Sequence, residues 1–369
     1  MKLTKKAVVI AAAISLGLSL AACSGTRGET PPQSASNEAT AATGGFEAGS
    51  TIGVSLPWLG TQNWKEAETQ FATALTEAGY KPIVQAADNK VPQQQSQIEA
   101  MIESGAKVLV VAPIDGKQLG TVLEKAKDAG IKIIGYDRLL ENTTAVDAVT
   151  QYGSIETGRV QGEALLAGLA ERKGAGPYNI ELFGGGPADP NAPNFFTGAM
   201  EVLQPKIDDG TLVVVSGQVE FTQVATAEWD NATAQKRMES LLAGNYQDKK
   251  IDGVLTPNDG IARAILTACE DAGQDIPVVD GLDAEDESVV SIWEGKQYAT
   301  VAKPTPELIA QTMVLIQALQ SGAELPPPTS TANNGKIDVP LYELTPVVIT
   351  KANAKQAFAD DPAKLELLK

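Results

Sequence analysis

The sequence predicts an α/β protein built as two lobes, each a parallel sheet covered by helices. Apolar strands such as 107–112 and 131–137 alternate with amphipathic helices from residue 51 onward, and strands that are apolar throughout are typical of a parallel sheet buried on both faces. The alternation restarts at a helix over 156–171. Because about ten strands in one doubly wound sheet are unusual, two lobes suit a chain of 369 residues better.

The first half of the chain has clear element borders. Pro92 suits the first turn of a helix, and Gly79 and Gly130 follow helical segments, as C-cap glycines do. In chain order we expect strand 51–56, helix 64–78, strand 81–87, helix 92–104, strand 107–112, helix 117–129, strand 131–137 and strand 148–152.

The second half repeats this pattern around a glycine-rich loop, Gly184-Gly-Gly-Pro-Ala-Asp-Pro-Asn191. We expect strands 178–183, 212–216, 253–256, 278–281 and 298–302, with helices over 156–171, 192–204, 231–243, 260–272, 285–294 and 305–321. The run Pro326-Pro-Pro328 is a stiff connector, and a last strand covers 347–350.

The N-terminus predicts export and a lipid anchor. Residues 1–6 are basic and 7–18 are mostly apolar, but the apolar run is too short for a permanent membrane span. Leu20-Ala-Ala-Cys23 resembles the lipobox of bacterial lipoproteins, in which cleavage leaves the cysteine as the lipid-modified first residue; an ordinary secretory leader is the alternative. We expect a signal peptide over 1–22, a lipidated Cys23 that anchors the chain outside the cytoplasm on the bacterial cell membrane, and a flexible tether to residue 50.

Composition excludes several functions. The formal net charge is -17, and so acidic a surface repels nucleic-acid phosphates. The chain has no histidine, which removes the commonest general base and metal ligand. No acid cluster has metal-ligand spacing, so we expect neither a metal nor a cofactor. Cys269 has no histidine to activate it and is predicted to be a buried core residue.

Polar side chains stand where the predicted strands end, which is where ligands bind to open parallel sheets. The strand over 131–137 ends in Asp137-Arg138, and two tryptophans, Trp64 and Trp229, lie near other strand ends. The further residues at strand ends are Trp58, Asp88, Asn89, Asp115, Asp189, Asn191, Asn258, Asp259, Asp283 and Lys303.

This combination is the chemistry of sugar recognition. Carboxylates accept hydroxyl hydrogens, amides and bases donate, and an aromatic plane packs on the C–H face of a pyranose. Each residue also has a structural alternative, since Asn258 and Asp259 suit a helix N-cap and the tryptophans suit the core.

Seven stretches resemble the xylose-binding and multiple-sugar-binding proteins of bacterial ABC transporters. They are Gln97-Ile-Glu99, Lys107-Val-Leu-Val110, Ile114-Asp-Gly116, Gly135-Tyr-Asp-Arg-Leu139, Ile180-Glu-Leu-Phe-Gly-Gly185, Ala232-Thr-Ala-Gln235 and Gly281-Leu-Asp-Ala284. The resemblance implies a type I periplasmic-binding-protein fold, with two Rossmann-like lobes joined by three crossover segments. The lobes would be 51–153 plus 304–338 and 154–303 plus 339–369.

The resemblance also implies a function. A protein of this family captures a monosaccharide, here one like xylose, glucose or galactose, between closing lobes and delivers it to an ABC permease. We expect a monomer. Its ligand-binding residues would be Asn63, Trp64, Asp137, Arg138, Asn191, Trp229, Asn258, Asp259, Asp283 and Lys303.

Two positions depart from the family's pattern. Family members typically have arginine where this chain has Asn63, and often Phe-Asp-Asn where it has Tyr152-Gly-Ser154. Both changes remove part of the hydroxyl recognition, so the resemblance does not single out xylose.

Three other functions fit parts of the sequence. Asp137 and Asp283 resemble a glycosidase acid pair, but we expect Arg138 and Lys303 to keep both ionised, and the chain lacks a Gly-x-Ser-x-Gly elbow and a phosphate loop. A repressor is disfavoured because an export leader stands where a DNA-binding headpiece would. A sugar-sensing receptor subunit that signals through a membrane partner is the alternative to transport.

Overall fold

Parallel sheets flanked by helices make up residues 44–369, the part of the chain that the computed structural model describes. The strands are β1 (Thr51–Leu56), β2 (Lys81–Ala86), β3 (Val108–Val111), β4 (Lys132–Tyr136), β5 (Ala148–Tyr152), β6 (Tyr178–Leu182), β7 (Leu212–Val214), β8 (Gly253–Leu255), β9 (Val278–Val279), β10 (Ala299–Ala302), β11 (Ser330–Asn333), β12 (Asp338–Leu344) and β13 (Val347–Thr350). The predicted α/β class is confirmed.

In the described part of the chain the nine predicted helices are present in the predicted order, with borders shifted by a few residues, and three further short helices, over 221–224, 354–357 and 362–366, were not predicted. The helices are α1 (Gln62–Glu77), α2 (Val91–Glu103), α3 (Gly120–Asp128), α4 (Ser154–Lys173), α5 (Asn191–Asp208), α6 (Phe221–Val224), α7 (Asn231–Asn245), α8 (Asp259–Asp271), α9 (Asp286–Glu294), α10 (Thr305–Ser321), α11 (Ala354–Ala357) and α12 (Pro362–Glu366). A single 3-10 turn covers Ala227–Trp229. Within residues 44–369, no helix has the length and apolar character needed to span a membrane.

The larger sheet has seven strands in the order β11-β12-β5-β4-β3-β1-β2. Its neighbours run parallel except for the antiparallel edge pair of β11 and β12. The central strand β3 is apolar on both faces: Val108 and Val110 on one face and Leu109 and Val111 on the other are fully buried. Such strands suit the middle of a helix-covered sheet.

The smaller sheet has four parallel strands in the order β7-β6-β8-β9, and β10 pairs with β13 in a separate antiparallel ribbon. Helix α4 packs against β8, β9 and β10 and closely against α5. A Cβ built on Gly158 of α4 would lie 1.8 Å from the Phe195 carbonyl oxygen. This close approach fixes α5, whose first residues reach the site.

The chain leaves or re-enters the seven-stranded sheet three times, after β5, after β10 and after β12. After β10, helix α10 returns to pack against α1, β4 and β5. The predicted boundary after residue 338 is wrong, because β12 runs parallel to β5 up to the pair Leu344 and Tyr152. Sequence patterns missed this strand because Pro340 lies inside it, and proline argues against a strand interior.

The folded body also begins earlier than predicted. The tether was expected to extend to residue 50, but the Phe46 N–H donates to the Gln320 carbonyl oxygen (3.0 Å). The Phe46 ring lies 6.4 Å from that of Tyr80, so an aromatic contact orders this segment. The predicted signal peptide, lipidated Cys23 and tether up to residue 43 lie outside the described residues.

Candidate functional site

One cavity is lined by residues that follow strands of both parallel sheets, at the carboxyl ends where ligands bind, and by a residue that follows β10 of the antiparallel ribbon. β1, β4, β6, β8 and β10 are each followed by such a residue. The lining consists of Trp58, Thr61, Asn63, Trp64, Asp137, Arg138, Asp189, Asn191, Phe195, Trp229, Asn258, Leu282, Asp283 and Lys303. Every predicted ligand residue except Asp259 is therefore brought together.

Buried ion pairs run across this cavity. Lys303 Nζ lies 3.3 Å from Asp137 Oδ1, on the side of the seven-stranded sheet, and 3.5 Å from Asp283 Oδ1, on the side of the four-stranded sheet. Arg138 Nη2 lies 2.8 Å from Asp189 Oδ2. Ion pairs, as well as the chain connections, therefore link the two halves of the site.

Asp137 and Asp283 occupy equivalent positions in the two halves. Both have left-handed backbone conformations, with φ of 63° and 93°, which are uncommon for residues other than glycine. Each N–H donates to the neighbouring strand: Asp137 to the Thr150 carbonyl (2.7 Å) and Asp283 to the Val301 carbonyl (2.8 Å). These bonds hold the strained turns that aim both carboxylates at Lys303.

Burial changes the ionisation of the site. It raises the pKa of Asp283 to about 6, and Glu285 and Asp137 reinforce this shift while Lys303 opposes it. The sequence-based expectation that Lys303 keeps this acid ionised therefore holds only above that pKa. For Lys303 itself, burial lowers the pKa, but Asp137 and Asp283 outweigh that effect and raise the pKa above its ordinary value. Lys303 therefore stays charged.

Burial also raises the pKa of Asp189, although Arg138 opposes the shift. Arg138 is held by a second contact, because its Nη1 donates to the Pro113 carbonyl oxygen (2.9 Å). The guanidinium is therefore fixed by both a carboxylate and the backbone.

Asp259 does not line the cavity, contrary to the prediction. It is fully buried, and its carboxylate accepts hydrogen bonds from Gln297 Nε2 (3.0 Å) and from the Glu285 N–H (2.8 Å). Burial raises its pKa to about 7. Its role is to hold the segment beside Asp283 from behind, whereas Asn258 both lines the cavity and caps α8 through the Ile261 N–H (2.9 Å).

Asn191 joins the two sides of the site. Its Nδ2 donates to the Asp137 carbonyl oxygen (2.7 Å), and its Oδ1 accepts from Ser154 Oγ (3.0 Å). Ser154, one of the residues that depart from the family's pattern, thus orients a cavity residue rather than lining the cavity itself.

Two buried donors in the cavity wall lack a partner among residues 44–369: Arg138 Nε and Trp229 Nε1. The Arg138 Nε lies 3.9 Å from Asp137 Oδ2, too far for a hydrogen bond. A buried donor without an acceptor is costly, by about 1–3 kcal/mol. The site is therefore complementary to a ligand that supplies acceptor oxygens at both places.

The three tryptophans of the cavity wall differ in how much of the indole ring is exposed. The Arg138 guanidinium lies over Trp64, 5.2 Å from the ring centroid, and Trp64 is only 4% exposed. Trp58 and Trp229 are half-buried. Trp64 therefore supports Arg138, while the two others offer more of their ring surface.

Sequence reasoning missed Thr61, Phe195 and Leu282 as lining residues. Phe195 follows Asn191 by one helical turn of α5, so helical spacing alone places both on one face. Thr61 precedes α1 and donates to Asn63 Oδ1 (2.5 Å), a contact that no sequence pattern predicts. Leu282 stands beside the predicted Asp283.

The family of the periplasmic binding protein domain matches residues 52–324 of this chain. The multiple sugar-binding periplasmic protein of Azospirillum brasilense is 42% identical over 315 residues, covering 84% of this chain and 88% of that protein. The D-xylose-binding periplasmic protein of Escherichia coli is 33% identical over 311 residues, covering 84% and 89%.

A solved structure supports the same relationship. The ABC transporter solute-binding protein from Clostridium phytofermentans with bound β-D-glucose has a TM-score of 0.82 and 38% identity, covering 86% of this chain and 100% of that one. The predicted type I periplasmic-binding-protein fold is thus confirmed. The chain belongs to the periplasmic binding protein family, and the three relatives named above are sugar-binding proteins, not enzymes.

Proposed function

We propose that this protein captures a monosaccharide, such as glucose, galactose or xylose, in the cavity between its two sheets and delivers it to an ABC permease. The observation that carries the proposal is the cavity wall itself. Carboxylates from both sheets, unpaired donors of Arg138 and Trp229, and half-exposed indoles surround one space. The glucose-bound relative, named as an ABC transporter solute-binding protein, supports both the ligand class and the partner.

The charges favour a neutral, hydroxyl-rich ligand. Asp137, Asp189 and Asp283 face Arg138 and Lys303, so an additional charge on the ligand would disturb pairs that are already formed. Hydroxyl groups suit such a wall because each one both donates to a carboxylate and accepts from a cation or an indole N–H.

Closure follows from the position of these groups. A sugar that accepts from Arg138 and donates to Asp283 contacts both halves of the site only when the lobes are closed, and such differential contact stabilises the closed form. Protein–protein docking to the permease then depends on the closed surface. The protein acts as a monomer in this scheme.

A melting experiment tests the ligand class. The purified protein is heated with a panel of pentoses and hexoses, and selective stabilisation by one or a few of them is expected. At a hundredfold excess over Kd the sugar adds about 2.7 kcal/mol, which raises Tm by roughly 2–4 °C per kcal/mol in a large domain. An unchanged Tm with every sugar of the panel would refute the proposal.

We also propose the lipid anchor on Cys23, on the basis of the basic and apolar segments and the Leu20-Ala-Ala-Cys23 motif. In cells that express the full chain and are supplied with a labelled fatty acid, the wild-type protein is expected to carry the label and Cys23→Ser to lack it. Equal labelling of both would argue against the anchor.

A further inference from the structure

Gly185 and Gly186 lie directly against the indole of Trp229. A Cβ built on Gly185 would lie 2.2 Å from Trp229 Cη2 and 2.4 Å from Cζ2, and one built on Gly186 would lie 2.9 Å from Cδ1. Carbon atoms in favourable contact are about 3.5–4.0 Å apart. The indole therefore occupies its place only because these residues have no side chain.

Trp58 has the same relation to Gly60 on the other side of the site. A Cβ on Gly60 would lie 2.0 Å from Trp58 Cζ3 and 2.3 Å from Cε3. Trp58 lines the cavity and packs against the hydrophobic core around Ile52. For both Gly60 and Gly185, the close contacts are with the six-membered ring of the indole.

The backbone does not require glycine at 60 or 185, since φ lies outside the left-handed region at both. The backbone near Trp229 is held in place: the Gly184 N–H donates to the Val224 carbonyl (2.9 Å), and the Thr226 N–H donates to the Gly184 carbonyl (2.9 Å). A methyl group added at Gly185 is therefore accommodated by movement of the indole rather than of the loop.

We propose that Gly60 and Gly185 are positioning residues that set the places of the Trp58 and Trp229 indoles in the cavity wall. They thereby select a ligand ring that presents a flat C–H face to an indole, as a pyranose does. The inference rests on the proposed monosaccharide-binding function. It gives the glycine-rich loop after β6 a role in shaping the site, distinct from phosphate binding.

The test compares alanine variants at three glycines by titration calorimetry. The probe is whichever of D-glucose, D-galactose and D-xylose the wild-type protein binds most tightly. An added methyl forces a shift of roughly 1 Å, and we expect Gly185→Ala and Gly60→Ala to weaken binding by about tenfold or more, as small misplacements of positioning groups do. Gly244→Ala is the matched control, because a Cβ there meets nothing within 4 Å.

Phenylalanine variants separate positioning from damage to the fold. Phenylalanine has a single ring and lacks the fused benzo ring of the indole, whose atoms Cη2 and Cζ2 meet Gly185. Gly185→Ala is therefore expected to cost less than about twofold in a Trp229→Phe background. The pair Gly60→Ala and Trp58→Phe is expected to behave in the same way. The Tm of each ligand-free variant is measured alongside.

Three results would overturn the inference. They are affinities of both alanine variants within twofold of wild type, equal losses in the tryptophan and phenylalanine backgrounds, and failure of the double variants to fold. If wild-type protein binds none of the three sugars, the proposed function fails first, before any variant is compared.

Discussion

Trp64 and Trp229 both line the cavity, yet they are held in different ways. Trp64 belongs to the core of the seven-stranded side. Its ring makes an edge-to-face contact with Tyr136, with 6.3 Å between the ring centroids, and the Arg138 guanidinium lies over its face. Trp229 stands on a loop in which Glu228 and Trp229 itself have positive φ (56° and 57°), and its Nε1 has no partner among the described residues.

The same contrast extends to the charged groups. On the seven-stranded side, the Arg138 guanidinium is held by the Pro113 carbonyl and by the Trp64 ring of the same side, and it also pairs with Asp189 of the other side. On the four-stranded side, burial raises the pKa of Asp283 to about 6, so this carboxylate is ionised only above about pH 6. One half of the site is preorganised by core packing, and the other depends more on contacts that a ligand completes.

The largest effect is expected from Asp137, which faces both Lys303 and Arg138. Asp137→Ala removes one of the two carboxylates beside the buried Lys303, and breaking a buried pair costs about 3–5 kcal/mol. We expect at least about a hundredfold loss of sugar affinity by titration calorimetry. Wild-type affinity in this variant would mean that Asp137, and with it the seven-stranded side, does not contribute to sugar binding.

Asp137→Asn separates charge from backbone conformation, because asparagine tolerates the left-handed region better than alanine does. It should retain the ligand-free Tm and still lose affinity. Asp275→Ala is a matched control, since Asp275 forms an exposed ion pair with Lys250, and exposed pairs contribute little.

An intermediate effect on sugar binding is expected from a change of pH, through Asp283 on the four-stranded side. Because the pKa of Asp283 is about 6 in the ligand-free protein, its carboxyl group is protonated below that pH. A protonated carboxyl loses acceptor capacity for a sugar hydroxyl. Binding should weaken about tenfold between pH 7.5 and pH 5. Asp283→Asn should bind more weakly and show a flatter profile; an unchanged profile in that variant would assign the dependence to another group.

The raised pKa of Asp283 also affects the stability of the folded protein. Low pH weakens sugar binding but favours this contribution to stability. Because the folded-state pKa is raised, the folded protein binds more protons than the unfolded chain between about pH 4 and 6. The contribution of Asp283 to stability is therefore fully present at low pH and is lost as pH rises through about 6. Comparing Tm of wild type and Asp283→Asn across this range measures it.

The smallest effect is expected outside the cavity, where Gln62 of α1 meets the start of α9. Gln62 Oε1 accepts from the Asp286 N–H (2.8 Å), and the Gln62 N–H donates to Glu285 Oε1 (3.2 Å). These contacts link the two sides of the site, and we expect them to form as the lobes close. A hydrogen bond contributes about 0.5–1.5 kcal/mol. Gln62→Ala should weaken every sugar by the same factor, about threefold. A sugar-dependent loss would place Gln62 within ligand recognition instead.

Much of this arrangement could be predicted from local patterns. The helix over 305–321 and the strand over 347–350 agree with the structure at both ends, because apolar spacing and flanking proline or glycine act locally. Cys269 is buried on α8, as expected, and burial raises its thiol pKa to about 12. Asp137, Arg138 and Asp283 could be identified because strand ends meet at one edge of a sheet.

Other features depend on which side chains come into contact. The pairing of β12 with β5 was not predicted, because an edge of the sheet is completed by a segment far away in the chain. The prediction gave Asp259 the same role as Asp283, and only the contacts with Gln297 and Glu285 separate them. Spacing places a residue at a strand end but does not say on which side of the turn its side chain lies.

The sequence by itself determined the two-lobed α/β class and the acids and bases at strand ends, since periodic burial and strand termini are properties of short segments. The tertiary structure alone decided that Arg138 pairs with Asp189, that Trp64 lies beneath Arg138, and that Gly185 lies against Trp229. The physical reason is that these contacts join segments distant in the chain, and their geometry is set by packing to within an ångström.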